Sequence, residues 1–145
     1  MQRDDVYVIY WDASEILSAL FKDRHSNEAQ NWANQKNSIH LTSTLAYAET
    51  CAVVSRMQRD GILADIVIKT ALQILEGGHW RHTNTWPEWK IIQPLSLKWP
   101  FRGADLWHLA KARTLQNELP ELLLLTFDSR LNAAALGEGM LAALR

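Results

Sequence analysis

Short apolar runs alternate along this chain with stretches whose apolar residues recur at helical spacing. Val6 to Trp11 is rich in β-branched and aromatic residues and predicts a buried strand, and Ser14 to Lys22 predicts the helix that follows it. The most apolar run lies near the other end, in a strand predicted over Leu122 to Thr126, and Ser129 to Leu136 again has a helical pattern. Each of these two units is therefore a strand that leads directly into a helix.

The middle of the chain continues this alternation. Further helices are predicted over Glu28 to Gln35, from Thr42 or Ser43 through Arg59 with Gly61 ending it, over Leu63 to Leu75, and over Asp105 to Leu115. Further strands are predicted over Ile39 to Leu41, Trp89 to Ile92 and Met140 to Leu144. Such a series favours an α/β domain with a mostly parallel sheet, with residues 1–145 as a single domain.

Composition agrees with an ordinary globular protein. The apolar fraction is 48% and the charged fraction 21%. No apolar run approaches the roughly 18 residues of a membrane span. The single cysteine, Cys51, can form no intrachain disulfide, and Met1 to Asp5 does not resemble a signal peptide, so we expect a cytoplasmic protein.

Charge is spread unevenly, although the formal net charge is only -1. Residues 79–113 carry six basic and two acidic side chains, and they also contain five of the seven tryptophans. Such a segment either meets an anionic partner or is simply a solvated face. Charge alone does not decide between these interpretations.

Two aspartates stand where a predicted strand becomes a helix. Asp12 follows the first strand and Asp128 follows the strand near the end. In parallel sheets ligands bind outside the carboxyl ends of the strands, and that is where both side chains are expected. Either residue could instead serve only as a helix cap, and Asp105, in the first turn of its helix, could serve only the helix dipole. Asp12 with Glu15 has the form of a capping box.

Glu49 is harder to explain as a structural residue. Its neighbours one turn away on the predicted helix are Leu45, Ala46, Ala52 and Val53, so it lies on the apolar stripe. A carboxylate there is costly to bury unless it is paired or binds a metal. A lysine or arginine partner would suffice. However, the edge of the sheet that Glu49 would face already carries Asp12 and Asp128, and a further negative charge there favours a bound cation.

Clustered carboxylates without a histidine or cysteine cluster suit Mg²⁺ or Mn²⁺. Such a site leaves room for phosphate oxygens and supports metal-assisted hydrolysis of phosphodiesters. The acidic residues therefore predict a metal site formed by Asp12, Glu49, Asp105 and Asp128.

Four segments carry a resemblance to the PIN-domain ribonucleases, and most closely to VapC-type toxins of bacterial toxin–antitoxin systems. They are VYVIYWDASEILSALF with Asp12 and Ser14, TSTLAYAETCAVVSR with Glu49, RGADLWHLAKAR with Asp105, and LLTFDSRLNAAA with Asp128. The segments occur in the family's order and are spread over nearly the whole chain. Trp107 departs from the family pattern, which more often has a smaller or aliphatic residue there, and residues 79–101 match no family pattern.

The resemblance implies a three-layer α/β/α sandwich and a Mg²⁺- or Mn²⁺-dependent endoribonuclease. It also implies a homodimer and a cognate antitoxin protein that inserts a segment near the active site. Asp12, Glu49 and Asp105 would be the core metal ligands, and Asp128 would bind the ion directly or through water. The alternative is a non-catalytic PIN-like module that binds protein or RNA.

Four further residues have candidate roles on this interpretation. Ser14 and Thr126 could donate hydrogen bonds that orient carboxylates. Arg102 could pair with an acidic neighbour or contact RNA phosphate. We interpret His108, one turn after Asp105, as a packing or hydrogen-bonding residue and not as a general base. The tryptophans of residues 79–101 are interpreted as packing or interface residues in preference to base-stacking ones.

Overall fold

The structure is a computed structural model that describes residues 6–35 and 37–143. Residues 1–5 and the last residue of the strand predicted over Met140 to Leu144 lie outside this range. No helix within these ranges is long and apolar enough to cross a membrane.

A parallel sheet of five strands forms the centre of the described structure. The strands are β1 (Val8–Trp11), β2 (Ile39–Ser43), β3 (Trp80–Thr83), β4 (Leu122–Leu125) and β5 (Leu141–Ala142). Their order across the sheet is β3-β2-β1-β4-β5, so the first strand of the chain lies in the middle. All the strand pairs are parallel, and β1 pairs with both β2 and β4.

Helices connect these strands. They are α1 (Ala13–Leu20), α2 (Ser26–Ala33), α3 (Thr44–Arg59), α4 (Asp65–Gly77), α5 (Trp89–Lys98), α6 (Gly103–Gln116) and α7 (Ser129–Gly137). The predicted helices are confirmed with shifts of a few residues at their ends. Ser43 caps α3 by accepting a hydrogen bond from the backbone N–H of Ala46, and Gly61 follows α3 with φ of 63°.

The helices cover both faces of the sheet, because alternate residues of a strand point to opposite sides. Val8 and Tyr10 of β1 face a core formed with α5, α6 and α7. Ile9 and Trp11 face the other core, which α1, α2, α3 and α4 complete. The predicted α/β/α sandwich with a parallel central sheet is therefore confirmed.

The predicted third strand is wrong. Trp89 to Ile92 begins helix α5, and the third strand of the sheet is Trp80–Thr83, inside a segment expected to be irregular. Ile91, Ile92 and Leu95 pack against the core with α6 at helical spacing, and this burial prevails over the β-branched composition of the run. Pro94 lies inside the helix, where proline is normally unfavourable, and so obscured the helical pattern.

The tryptophans divide into packed and exposed groups. Trp11 and Trp80 are buried, and their rings meet edge to face with centroids 5.3 Å apart. Trp99 is half-buried against the core. Trp86 and Trp89 are 78% and 90% exposed. Packing therefore accounts for Trp80 and Trp99 in residues 79–101, and it does not account for Trp86 and Trp89.

Candidate active site

Asp12 lies at the carboxyl end of the central strand and begins helix α1. Its extended backbone places it as the N-cap, and its Oδ1 accepts the N–H groups of Ser14 and Glu15 at 3.1 and 3.4 Å. The expected capping role is therefore real. The contact from Ser14 comes from its backbone. Because β1 pairs with β4 through Trp11 and Leu125, the ends of these two strands lie side by side.

The carboxyl group of Asp12 is almost fully buried, with 7% of the residue exposed. Its pKa is raised to about 7, mainly by burial; the positive charge of His108 lowers that pKa, and the negative charges of Asp105 and Glu49 raise it. The fold thus brings three of the four predicted metal ligands within electrostatic reach of one another. A positive ion beside them would relieve the cost of collecting these charges.

Glu49 projects from α3 and is held by a histidine. Its Oε1 accepts a hydrogen bond from Nε2 of His108 at 2.7 Å, and 36% of its side chain is exposed. The partner that offsets the cost of placing this carboxylate on an apolar stripe is therefore an imidazole. It is not the lysine or arginine that the sequence suggested. The interpretation of His108 as a hydrogen-bonding residue is confirmed.

The imidazole of His108 is itself fixed on its other side. Its Nδ1 lies 2.7 Å from the hydroxyl of Tyr10, which lies 2.8 Å from Oγ of Ser43, and all three residues are buried. A carboxylate only accepts hydrogen bonds, so Nε2 carries a proton in its contact with Glu49. A buried chain of hydrogen bonds thus runs from Glu49 through the centre of the sheet to the N-cap of α3.

Asp105 enters the site from the first turn of α6 and is half-buried. It stands one turn before His108, so the two side chains are on the same side of the helix. Arg102 is the exposed N-cap residue of α6. Within the described ranges Arg102 makes no ion pair. The structure therefore does not show the acidic partner that a purely structural role for Arg102 would require.

Asp128 stands apart from the other carboxylates. It is exposed, and its Oδ1 caps α7 by accepting the N–H groups of Arg130 and Leu131 at 2.8 and 3.1 Å. Thr126 is buried, and its Oγ1 accepts the N–H of Asp128 at 3.1 Å. Asp128 does not contribute to the shift in the pKa of Asp12. Asp128 is connected with the site by its position after β4, because the end of β4 lies beside the end of β1.

Glu15 is a buried carboxyl group that the sequence pattern indicated only as part of a cap. Its Oε1 accepts the N–H of Phe127 at 3.0 Å, and its Oε2 has no hydrogen-bond partner among the described residues. Glu15 thus ties the start of α1 to the turn that carries Asp128. The helical spacing gave little sign of this burial, because the neighbours of Glu15 one turn further along the helix are Ser18 and Ala19, and only Ala19 is apolar.

The residues present fit a hard divalent cation in their chemistry. The donors are carboxylate oxygens, one of them buried among like charges, and such donors suit Mg²⁺ or Mn²⁺. In the part of the chain that the structure describes, however, no three Asp, Glu, His or Cys side chains are arranged so that they could hold a metal ion. Asp12, Glu49 and Asp105 are thus electrostatically coupled, and binding one ion between them would require their side chains to move closer together.

Comparison with known proteins identifies the family. Residues 9–136 match the model of the PIN domain. The structure is similar to the crystal structure of PAE2754 from Pyrobaculum aerophilum, with a TM-score of 0.57 and 15% sequence identity over 94% of this chain and 91% of that one. That similarity supports the fold alone. No curated protein matches the sequence. The family match covers most of the chain, and this chain therefore belongs to the PIN domain family.

Proposed function

We propose that the protein is a Mg²⁺- or Mn²⁺-dependent endoribonuclease and the toxin of a toxin–antitoxin pair, acting as a homodimer restrained by a cognate antitoxin. PIN domains are generally nucleases and commonly use divalent metals, which supports a hydrolase that acts on nucleic acid. The observation that carries the proposal is the buried Asp12, whose pKa is raised to about 7 beside Asp105 and Glu49. A structural helix cap does not require two further acidic side chains beside it.

Asp12, Asp105 and Glu49 are the residues that would hold the ion, with Asp128 at the neighbouring strand end as the fourth candidate. When bound, such an ion activates water and stabilises the charge that develops on phosphorus. His108 holds Glu49 in place through its Nε2, and Tyr10 holds His108. The backbone N–H of Ser14 orients the carboxylate of Asp12. Arg102, exposed at the start of α6, is available for a phosphate contact.

The proposal is tested by incubating purified protein, freed of any bound antitoxin, with single-stranded RNA and Mn²⁺ or Mg²⁺. We expect cleavage that stops in excess EDTA and falls at least about 100-fold in Asp12→Asn, because removing a ligand should cost more than removing a residue that only orients one. The matched control is Asp65→Asn, which makes the same change in the first turn of α4, at an exposed position.

Cleavage that survives in Asp12→Asn, or in EDTA, would contradict the nuclease mechanism. Protein that neither cleaves RNA nor binds Mn²⁺ by calorimetry would instead support a non-catalytic binding module. The toxin role has its own test, since growth arrest on induction should be abolished by Asp12→Asn and not by Asp65→Asn.

A further inference from the structure

A cavity of about 490 Å³ lies between the start of α3, the end of β3 and α6. Its walls are Thr44 and Leu45 from the start of α3, residues 83–86 from the end of β3 and the loop after it, and Trp107 from α6. We call it the tryptophan pocket, after Trp86 and Trp107. Its volume is within the range of about 300–1,000 Å³ that small-molecule sites occupy.

The pocket adjoins the candidate active site through two helices. Leu45 is one turn before Glu49 on α3, so both residues lie on the same side of that helix. Trp107 is two residues after Asp105 on α6, and its ring meets the ring of His108 edge to face with centroids 5.5 Å apart. His108 in turn binds Glu49. A group bound in the pocket is therefore a neighbour of the group bound by the carboxylates.

The loop that carries Trp86 is held firmly against α6. Lys111 is fully buried, and its Nζ donates a hydrogen bond to the backbone carbonyl of Thr85. The N–H of Glu88 donates to Oγ1 of Thr114 at 3.0 Å. These two contacts lie on either side of Trp86. The backbone on either side of the exposed Trp86 is consequently fixed by hydrogen bonds to α6.

The lining of the pocket is aromatic with a polar edge. Trp86 and Trp107 supply flat apolar surface, and Thr44, Thr83, Asn84 and Thr85 supply hydroxyl and amide groups. The hydroxyl of Thr83 is buried and has no hydrogen-bond partner within the described residues. Flat surface for stacking combined with donors and acceptors is the arrangement by which proteins recognise unpaired bases in single-stranded RNA.

We propose that the tryptophan pocket binds one unstacked base of a single-stranded RNA, next to the phosphate that lies at the carboxylates. The inference rests on the proposed nuclease function and adds to it a binding site for one base of the substrate. Trp86 and Trp107 contact the face of the base, and the polar residues at the end of β3 read its edge. An aromatic side chain of a protein partner is the competing occupant. Such a side chain would leave the hydroxyl and amide groups of the lining without hydrogen-bond partners.

The experiment measures binding without cleavage. Asp12→Asn protein is titrated into fluorescently labelled single-stranded homopolymers of A, C and U in Mg²⁺, and anisotropy reports the affinity. Adding Trp86→Ala should weaken binding about 5- to 150-fold, the range for loss of one stacked base. Trp89→Ala is the matched control, because Trp89 is also exposed, lies three residues away and does not line the pocket. It should leave the affinity unchanged.

Two further measurements sharpen the assignment. An RNA duplex of the same length should show no dependence on Trp86, because its bases are already paired and stacked. Thr83→Val keeps the shape of the side chain and removes the hydroxyl, so it should alter the preference among A, C and U more than the mean affinity. Equal affinities for Trp86→Ala and its parent on every homopolymer would overturn the proposal. So would Trp86-dependent binding of an aromatic peptide without Trp86-dependent binding of RNA.

Cleavage assays on the same oligonucleotides separate this inference from the proposed function. If Trp86→Ala weakens RNA binding and yet no variant with Asp12 intact cleaves RNA, the nuclease proposal fails while the base pocket stands. If cleavage depends on Asp12 but Trp86→Ala changes neither the affinity nor the position of the cut, the base pocket fails while the nuclease proposal stands.

Discussion

Nε2 of His108 lies 2.7 Å from Oε1 of Glu49, which makes a histidine of α6 the fixed partner of an acidic residue of α3. The histidine is buried and the carboxylate is only half-buried, so the fixed histidine sets the orientation of the Glu49 carboxylate. Removing a group that holds a ligand carboxylate in this way typically lowers metal affinity or activity about 10- to 100-fold. If Glu49 is a metal ligand, His108 is therefore its positioning residue.

We expect His108→Ala to lower Mn²⁺ affinity and RNA cleavage about 10- to 100-fold, because Glu49 loses its orienting partner. Calorimetry with Mn²⁺ and steady-state cleavage rates measure the two effects. Tyr10→Phe should give a smaller loss of the same kind, since it removes the hydrogen bond that orients the imidazole and keeps the ring.

A double-mutant cycle distinguishes positioning from a general loss of stability. In a Glu49→Gln background, His108→Ala should have little further effect on Mn²⁺ affinity, because the carboxylate that it orients is already gone. Additive losses in the double variant would show that His108 acts without Glu49. Thermal unfolding of each variant checks that the protein remains folded.

Most of the fold could be predicted from the sequence because the outer units are locally consistent. Val8–Trp11 with α1, and Leu122–Leu125 with α7, each combine a short apolar strand with a capped helix, and Asp12 and Asp128 cap these helices as expected. The region of β3 and α5 is not locally consistent. Pro94 argues against its helix, and Ile91, Ile92 and Leu95 gain their helical burial from a core that α6 helps to form.

The residue types of the candidate site could be predicted from the sequence, but the hydrogen bonds between its residues could not. The apolar neighbours of Glu49 indicated that it needed a partner, but nothing in the spacing identified His108, because the contact joins residues 59 positions apart. The role of Tyr10 was hidden for the same reason, since a buried strand tyrosine is usually only a packing residue. Such contacts depend on strand order, which local patterns do not specify.

Glu15 supplies a second test of how the site is held together. Its Oε1 accepts the N–H of Phe127 across the ends of β1 and β4, and Glu15 is buried. We expect Glu15→Ala to destabilise the fold by about 1–3 kcal/mol, because it leaves the N–H of Phe127 without its partner. Glu15→Gln keeps an oxygen in the same place and should restore most of the loss. Urea unfolding measures both variants, and equal loss in the two would contradict this role.

Close packing of Gly137 against Trp99 gives a prediction about stability alone. A Cβ atom at Gly137 would lie 2.6 Å from Cζ2 of Trp99, and the indole is held by a hydrogen bond from its Nε1 to Glu138 at 3.0 Å. Gly137→Ala should therefore cost about 1–3 kcal/mol in the free energy of unfolding, as overpacking does. Gly77→Ala is the control, because its added Cβ would have no atom within 4 Å beyond its chain neighbours and the backbone of its own helix, and it should not destabilise the protein.

His40 should make the stability of the protein fall in mildly acidic solution. Its Nδ1 accepts the indole N–H of Trp11 at 3.0 Å, which requires that nitrogen to be unprotonated. Burial, together with the neighbouring charge of His79, lowers the pKa of His40 to about 4. The unfolded chain takes up this proton near its ordinary pKa of 6.5, whereas the folded protein takes it up only near pH 4.

The stabilisation from a neutral His40 is therefore complete above about pH 6.5 and is lost as the pH falls towards 4. A shift of one pKa unit corresponds to about 1.4 kcal/mol, so the loss is on the order of 3 kcal/mol. Urea unfolding of wild type and His40→Gln at several pH values measures it. The variant should be less stable at pH 7, and the difference between the two proteins should shrink towards pH 4. A difference that stays constant with pH would show that His40 does not titrate in this way.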